Sequence, residues 1–298
     1  MEEELIIVRY SEIALKSQPI RSLFEKKLIQ NIKNALKVEN IENKIIKTRG
    51  RIYIYSSELV KTQKVLTKIF GIISYSIATK SESDIEDIVS TALMIAKNKI
   101  QKNNSFALRV TRTGNHPYTS QEIAIKAGDV IRKNTKASVK LDRPDVELFI
   151  EIRDENSYFF TEKKPGPGGL PRGTQGKILG LVDSDESILA CWYLLRRGCS
   201  IVFLLTDKKL QETLENFIQA WYANKKIYVI DEKKDFYKKL NEIKIKEQVN
   251  AICMREKHYD YKIIKKTKTK MAIPVLTPLI SFEQKTINKK LKEIGIRG

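Results

Sequence analysis

A chain of 298 residues with 42% apolar residues has material for two or three compact domains with buried cores, which excludes a wholly disordered or fibrous protein. Against 36 Asp+Glu stand 55 Lys+Arg, a net charge of +19 and a pI near 9.6, so nucleic acid is the first expected partner and a solvated lysine-rich surface the alternative. No run of eighteen apolar residues occurs and the start, Met1-Glu2-Glu3-Glu4, is acidic where a signal peptide would be basic, so neither membrane insertion nor export is expected.

Leu5 to Val8 reads as a strand, and Pro19 opens a helix whose apolar residues Leu23, Phe24, Leu28, Ile32 and Leu36 recur at helical spacing. Two strands follow, Lys44 to Lys47 and Arg51 to Tyr55, joined by a turn at Arg49-Gly50. A helix over Glu58 to Ile69 and a strand over Ile72 to Ala78 complete a β-α-β-β-α-β order, the pattern of a ferredoxin-like unit.

A second α/β unit starts with a helix capped by Ser83 or Asp84, with Ile85, Ile88, Val89, Ala92, Leu93 and Ile95 along one stripe. It continues with a strand over Ser105 to Thr111, a helix over Ser120 to Lys133, and strands over Ser138 to Leu141 and Val146 to Arg153. The turn Asp142-Arg143-Pro144-Asp145 separates those last two, because proline cannot extend a sheet ladder.

Residues 163–177 hold five glycines and three prolines and mark the clearest boundary in the chain. Beyond it the pattern is buried strand (Ile178 to Val182), helix (Asp185 to Arg197) and buried strand (Ser200 to Leu205), a right-handed β-α-β crossover in a parallel sheet. A helix over Lys209 to Asn224 and a strand over Ile227 to Ile230 extend it, and the stretch from Lys233 to Lys246 reads as a solvated helix face. Cys191, Cys199 and Cys253, with His116 and His258 as the only histidines, offer no zinc-ligand spacing and no disulfide framework. No metal site is expected, and a reducing cytoplasm fits.

Three segments together resemble the tRNA 4-thiouridine synthase family. Arg9-Tyr10-Ser11-Glu12-Ile13-Ala14-Leu15-Lys16-Ser17, followed by Arg21, Phe24, Glu25, Leu28 and Asn31, is similar to that family's RYGEIxLKG opening, with Ser11 and Ser17 in place of glycines. Arg109-Val110-Thr111-Arg112, His116, Ser120, Gly128, then Leu141-Asp142-Arg143-Pro144-Asp145-Val146 and Glu151 resemble a THUMP domain. Gly169-Leu170-Pro171-Arg172-Gly173-Thr174-Gln175-Gly176-Lys177 resembles GLPxGTxGK, and Arg196-Arg197-Gly198-Cys199 the RRGC end of a first PP-loop helix.

The resemblance implies an α/β protein with an α+β N-terminal half: a ferredoxin-like domain over residues 1–80, a THUMP domain over 81–164, a Gly/Pro-rich linker over 165–177 and a truncated, parallel-sheet PP-loop-like α/β domain over 178–298. It implies that the N-terminal half grips the tRNA acceptor end, with THUMP near the 3′ end. The same region offers Lys16, Arg109, Arg112, His116, Lys126, Arg132, Lys133, Lys140 and Arg143 as phosphate contacts, each with an idle surface cation as the alternative. Tyr118 is either a stacking platform for a terminal base or a half-buried core tyrosine. The linker either holds phosphate through its backbone amides and Arg172 or is a plain spacer.

Where the family carries SGGxDS, this chain aligns Val182-Asp183-Ser184-Asp185-Glu186-Ser187. Both glycines are gone, so side chains fill the space phosphate needs, and acids stand at the helix end that should attract an anion. Asp183 as N-cap with Glu186 three positions on would make a capping box, and a metal bridging these acids to phosphate is the alternative. Pro278-Leu279-Ile280-Ser281-Phe282-Glu283-Gln284-Lys285 resembles PLIGxDK, with Gln284 at the family's functional lysine. TGxxxGQVxSQT finds no counterpart between Tyr261 and Pro274, and the chain reaches Gly298 before the family's sulfur-carrying cysteine.

The expectation is therefore a tRNA-binding adaptor without cofactor or catalysis, delivering tRNA to a separate modifying enzyme or sulfur carrier, with no membrane partner and a dimer left open. Two alternatives stand beside it. One is an active ATP- and Mg-dependent tRNA sulfurtransferase with Cys253 as sulfur carrier, its thiolate favoured by Arg255 and Lys257. The other is a general RNA-binding protein.

Overall fold

The computed structural model describes residues 3–10, 12–230, 235–256 and 260–296. Ser11, Lys233, Lys257, His258 and Gly298, which enter the expectations above, lie outside them.

In chain order the first elements are β1 (Glu3–Arg9), α1 (Gln18–Val38), β2 (Lys44–Thr48), β3 (Arg51–Tyr55), α2 (Leu59–Leu66) and β4 (Ser74–Glu82). Then come α3 (Ile85–Lys99), β5 (Ser105–Thr113), α4 (Ser120–Thr135), β6 (Ser138–Val139), β7 (Val146–Arg153), β8 (Asn156–Phe160) and β9 (Lys164–Pro165). The remainder is β10 (Lys177–Val182), α5 (Asp185–Arg196), β11 (Ser200–Leu205), α6 (Gln211–Ala220), β12 (Ile227–Val229), α7 (Phe236–Glu247), β13 (Ala251–Cys253), α8 (Tyr261–Met271), β14 (Val275–Leu276) and α9 (Gln284–Glu293).

By contacts the chain forms two compact units, 1–9 with 41–63 and 74–165, and 10–40 with 64–73 and 166–298. The first is built on a nine-stranded sheet among the described residues, in the order β2-β3-β1-β4-β8-β7-β5-β6, with β9 also on β4. The expected boundary at residue 80 lies inside β4, which pairs antiparallel with β1 over Ser74 to Lys80 and with β8 over Thr79 to Glu82. β8 was not foreseen; it forms a tight hairpin with β7 through Asp154 in a left-handed conformation (φ 53°). The stripe from α3 and Ile123, Ala127 and Ile131 of α4 cover Phe106, Leu148, Ile150 and Phe159 to form a dry core. Asp84, not Ser83, caps α3, its carboxylate accepting from the amides of Glu86 and Asp87 at 3.0 Å each.

The second unit carries a five-stranded, wholly parallel sheet in the order β12-β11-β10-β13-β14. From β10 the chain runs outward through α5 and α6 to β11 and β12, then returns to lay β13 on the other side of β10. That reversal puts a crevice at the carboxyl ends of β10 and β13, the position where open α/β sheets bind ligands. Each face of the sheet has its own apolar layer: Ile188, Cys191, Trp192, Ile201, Phe203 and Cys253 among others on one side, and Leu179, Val202, Leu204, Leu240, Ile252 and Met271 on the other. Leu23, expected on the buried stripe of α1, is instead 59% exposed; Phe24, Leu28, Ile32 and Leu36 are buried.

The Gly/Pro-rich segment is fixed by hydrogen bonds. The amides of Gly173, Thr174 and Gln175 all donate to the Gly198 carbonyl, and those of Gly166, Gly168 and Leu170 to Ile73, Ile72 and Arg196. This corrects the expectation that these amides could cradle phosphate, since a donor already spent on a carbonyl has nothing left for an anion. Gly169 shows why a side chain is excluded: its φ is +76°, and a Cβ there would lie 2.0 Å from the Arg196 carbonyl oxygen. No helix of the described residues is long and apolar enough to cross a membrane.

Candidate functional site

The crevice holds a cavity of about 810 Å³. Asp183, Thr206, Arg255 and Glu256 from the strand ends meet Tyr237 of α7 and Lys266 of α8 there. Only Asp183 and Arg255 of these six were singled out from sequence. The others come from strand ends and helices far apart in the chain, and their one advance signal was the reversal of strand order, which takes the whole topology to see.

At the bend between β10 and α5 the helix cap is Ser184, not Asp183. Ser184 Oγ accepts from the Ser187 amide at 3.3 Å, and Ser187, 1% exposed, takes the place expected for Glu186 in the capping box. The register slips because serine's short hydroxyl reaches the third amide directly, while the Ser187 hydroxyl folds back over the bend. Its oxygen accepts from the amides of Asp183 and Ser184, at 3.1 Å each, and it donates to the Ser184 carbonyl at 2.6 Å. Two amides at this strand-to-helix turn, those of Asp183 and Ser184, are thus already satisfied.

The acids at the bend have partners. Arg255 Nε donates to Asp183 Oδ1 at 3.0 Å and its Nη1 lies 3.8 Å from Glu186 Oε2; Gln284 Nε2 donates to Glu186 Oε1 at 2.7 Å. Burial alone would ease the proton off Arg255, and the Asp183, Glu256 and Glu186 carboxylates together outweigh it and raise its pKa. Burial, with Asp183 adding to it, also raises Glu256 above the usual carboxylate range. Arg255 thus offsets part of the negative charge that Asp183 and Glu186 place at this bend.

Cys253 sits fully buried at the end of β13, its thiol pushed well up by burial and then by Cys191, so it is a neutral core group. Cys191 and Cys199 are buried too.

The cations proposed for RNA fall in both units, Lys16 and Arg172 in the second and the others in the first. Alternation along β5 puts Arg109 and Arg112 on opposite faces of the sheet. Arg109 binds Glu147 at 2.8 Å and the Leu141 carbonyl at 2.7 Å, which ties β5 to the loop bearing Lys140 and Arg143. Arg112 reaches the His116 carbonyl at 3.4 Å, and His116 Nε2 sits 2.7 Å from the Asp154 carbonyl. Lys126, Arg132 and Lys133 lie exposed on α4, Arg132 beside Asp129 at 3.2 Å. Lys16 is exposed in the second unit, where Arg172 is largely withdrawn from water, which lowers its pKa. Tyr118 is buried rather than half-buried and its hydroxyl donates to the Ser83 carbonyl, which removes it as a stacking platform.

A ferredoxin-like strand order that continues through one nine-stranded sheet in the first unit, and a parallel sheet with a switch-point crevice in the second, define an α/β protein of two units. Residues 5–76 match the ThiI ferredoxin-like domain and residues 82–162 the THUMP domain. A probable tRNA sulfurtransferase of Methanobrevibacter smithii is 31% identical over 99% of this chain and 87% of its own length. The chain belongs to the tRNA sulfurtransferase family of 4-thiouridine synthesis. Among solved structures, the protein PH1313 of Pyrococcus horikoshii Ot3 superposes with a TM-score of 0.87 at 30% identity, over 99% of this chain and 100% of that one. A 4-thiouridine synthetase in complex with RNA and bound ATP superposes with 0.83 at 26% identity, over 99% and 86%.

Proposed function

We propose that this chain holds the acceptor end of tRNA with its THUMP-bearing unit and neither adenylates RNA nor transfers sulfur, acting as an adaptor that hands tRNA to a separate modifying enzyme or sulfur carrier. The observation that carries the second half is the β10–α5 bend, where the Ser187 hydroxyl occupies the amides of Asp183 and Ser184 and where Arg255 is locked onto Asp183. The phosphate end of ATP does not fit these residues, since it would have to displace the hydroxyl and approach Asp183, Asp185 and Glu186. The buried, neutral Cys253 supports the same reading. Tight RNA binding is supported by the family membership, by the THUMP match and by the +19 charge.

One observation favours the rival reading, an active ATP-dependent sulfurtransferase: the switch-point cavity is large enough for a nucleoside. Titration calorimetry with Mg-ATP, repeated with tRNA present, separates the two. No heat and no AMP or pyrophosphate release is expected; saturable ATP binding with AMP release would overturn the adaptor reading. Removing the CCA end from tRNA is expected to weaken binding sharply, and equal binding of trimmed and intact tRNA would leave only general RNA affinity.

A further inference from the structure

α8 has the sequence YKIIKKTKTKM, five lysines and no acid. Its apolar side is fixed: Thr267 and Met271 are buried, and Met271 belongs to the core layer that includes Leu240 and Ile252. The lysines are therefore displayed from a seated helix. Lys262, Lys265, Lys266, Lys268 and Lys270 are all exposed, and among the described residues none of them forms an ion pair.

Four of them, with Thr269, line one shallow groove of about 320 Å³: Lys262, Lys265, Lys266 and Lys270. These positions follow the i, i+3, i+4, i+8 spacing of a single helix face, so neighbouring ammonium groups repel along the row. Lys266 also borders the switch-point cavity, so the groove opens beside the crevice.

We propose that this groove on α8 is a second RNA-binding surface, which tracks the phosphodiester backbone and lies outside the THUMP-bearing unit. The inference rests on the RNA-binding reading above and adds to it a contact from the C-terminal unit. A phosphate row matches this arrangement better than other anions do. The charges are spaced one helical turn apart in a line, and Thr269 adds a hydroxyl within the row. An anionic bilayer would want one broad apolar face beside the lysines, and α8 offers only the scattered Tyr261 and Ile263 there, while Met271 is already in the core.

The test is a quadruple variant, Lys262→Gln, Lys265→Gln, Lys266→Gln and Lys270→Gln, measured for tRNA binding across a salt series beside the unaltered chain and the matching set of Lys→Arg changes. The slope of log affinity against log salt is expected to become shallower by about 3, with affinity at low salt down roughly tenfold, because each lost phosphate contact removes close to one counterion from the balance. The arginine set is expected to bind like the unaltered chain. The penalty for trimming the CCA end should be the same in every form, since backbone contacts carry no information about that end. In a second measurement, acylation of Lys262, Lys265, Lys266 and Lys270 should slow when tRNA is added.

An unchanged slope and affinity in the glutamine variant, while the unaltered chain still discriminates trimmed tRNA, would overturn the α8 surface and leave the tRNA reading standing. Failure of the unaltered chain to bind RNA at all would overturn both. Protection of these lysines by phosphatidylserine vesicles and not by tRNA would also overturn it.

Discussion

Arg9 holds Glu151 with two nitrogens at once, Nε at 3.0 Å and Nη2 at 2.9 Å from the same carboxylate oxygen, while Arg51 Nε takes the other oxygen at 2.9 Å. Arg9 comes from the opening motif and Glu151 from the THUMP pattern, 142 residues later. Both are nearly sealed from water, with side chains 9% and 8% exposed.

Removing one partner from this buried trio strands the remaining charge, so Glu151→Gln is expected to cost about 3–5 kcal/mol of stability. Urea denaturation at neutral pH measures it, and a loss under about 1 kcal/mol would show the network to be solvated in practice.

The same carboxylate sets a pH dependence. Burial alone would raise the Glu151 pKa, but the charges of Arg9 and then the hydrogen bond of Arg51 overcome it and hold the folded value below the usual range. Its contribution is therefore complete above the ordinary carboxylate pKa, roughly 4.3, and is lost as pH falls through the lower folded value. Thermal melts from pH 6 downward should show a loss of stability in the unaltered chain that Glu151→Gln lacks.

At the β10–α5 bend, Ser184→Ala removes one cap and should cost about 1 kcal/mol. Ser187→Ala leaves the amides of Asp183 and Ser184 without an acceptor and should cost more, about 2–3 kcal/mol. If denaturant midpoints placed Ser184→Ala as the more damaging change, the hydroxyl of Ser187 would not be the group that closes the turn.

Gly169→Ala forces a Cβ into the Arg196 carbonyl at a positive φ and is expected to destabilise by about 3 kcal/mol or more. Gly295→Ala, also at positive φ but with open space around it, should cost about 1 kcal/mol. Comparable losses at the two positions would mean that backbone conformation alone, and not the close approach, explains Gly169.

None of Cys191, Cys199 and Cys253 should react with a thiol reagent in the native chain at pH 7.5, and all three should react in denaturant, because burial keeps each away from the reagent and holds Cys199 and Cys253 in the neutral form. Rapid native labelling of Cys253 would reopen its role as a sulfur carrier.

Periodicity made the N-terminal half readable: helices such as α3 and α4 carry one apolar face over several turns, and the 3.6-residue repeat survives any uncertainty about caps. β8 escaped because its hairpin turns on Asp154-Glu155, which lacks the glycine that announces a two-residue turn. α8 escaped because its burial is carried by Thr267 and Met271 amid five lysines, so hydropathy registered a polar tract where a helix stands. The bend at 182–187 was legible as chemistry but not as geometry. Missing glycines could be seen in the sequence; that a hydroxyl one turn along would take over the amides, and that Arg255 from β13's far end would arrive at Asp183, could not.

β4 is paired along one edge with β1 and, further on, with β8, so a single strand belongs to both of the sheets that sequence patterns would separate. A fragment cut between residues 80 and 81 would lose its backbone partners on each side and expose raw edges prone to sticking. The strands from β1 to β8 should accordingly exchange their amide hydrogens as one cooperative block, and the portion that resembles a free-standing THUMP module would be viable only when grown together with what precedes it.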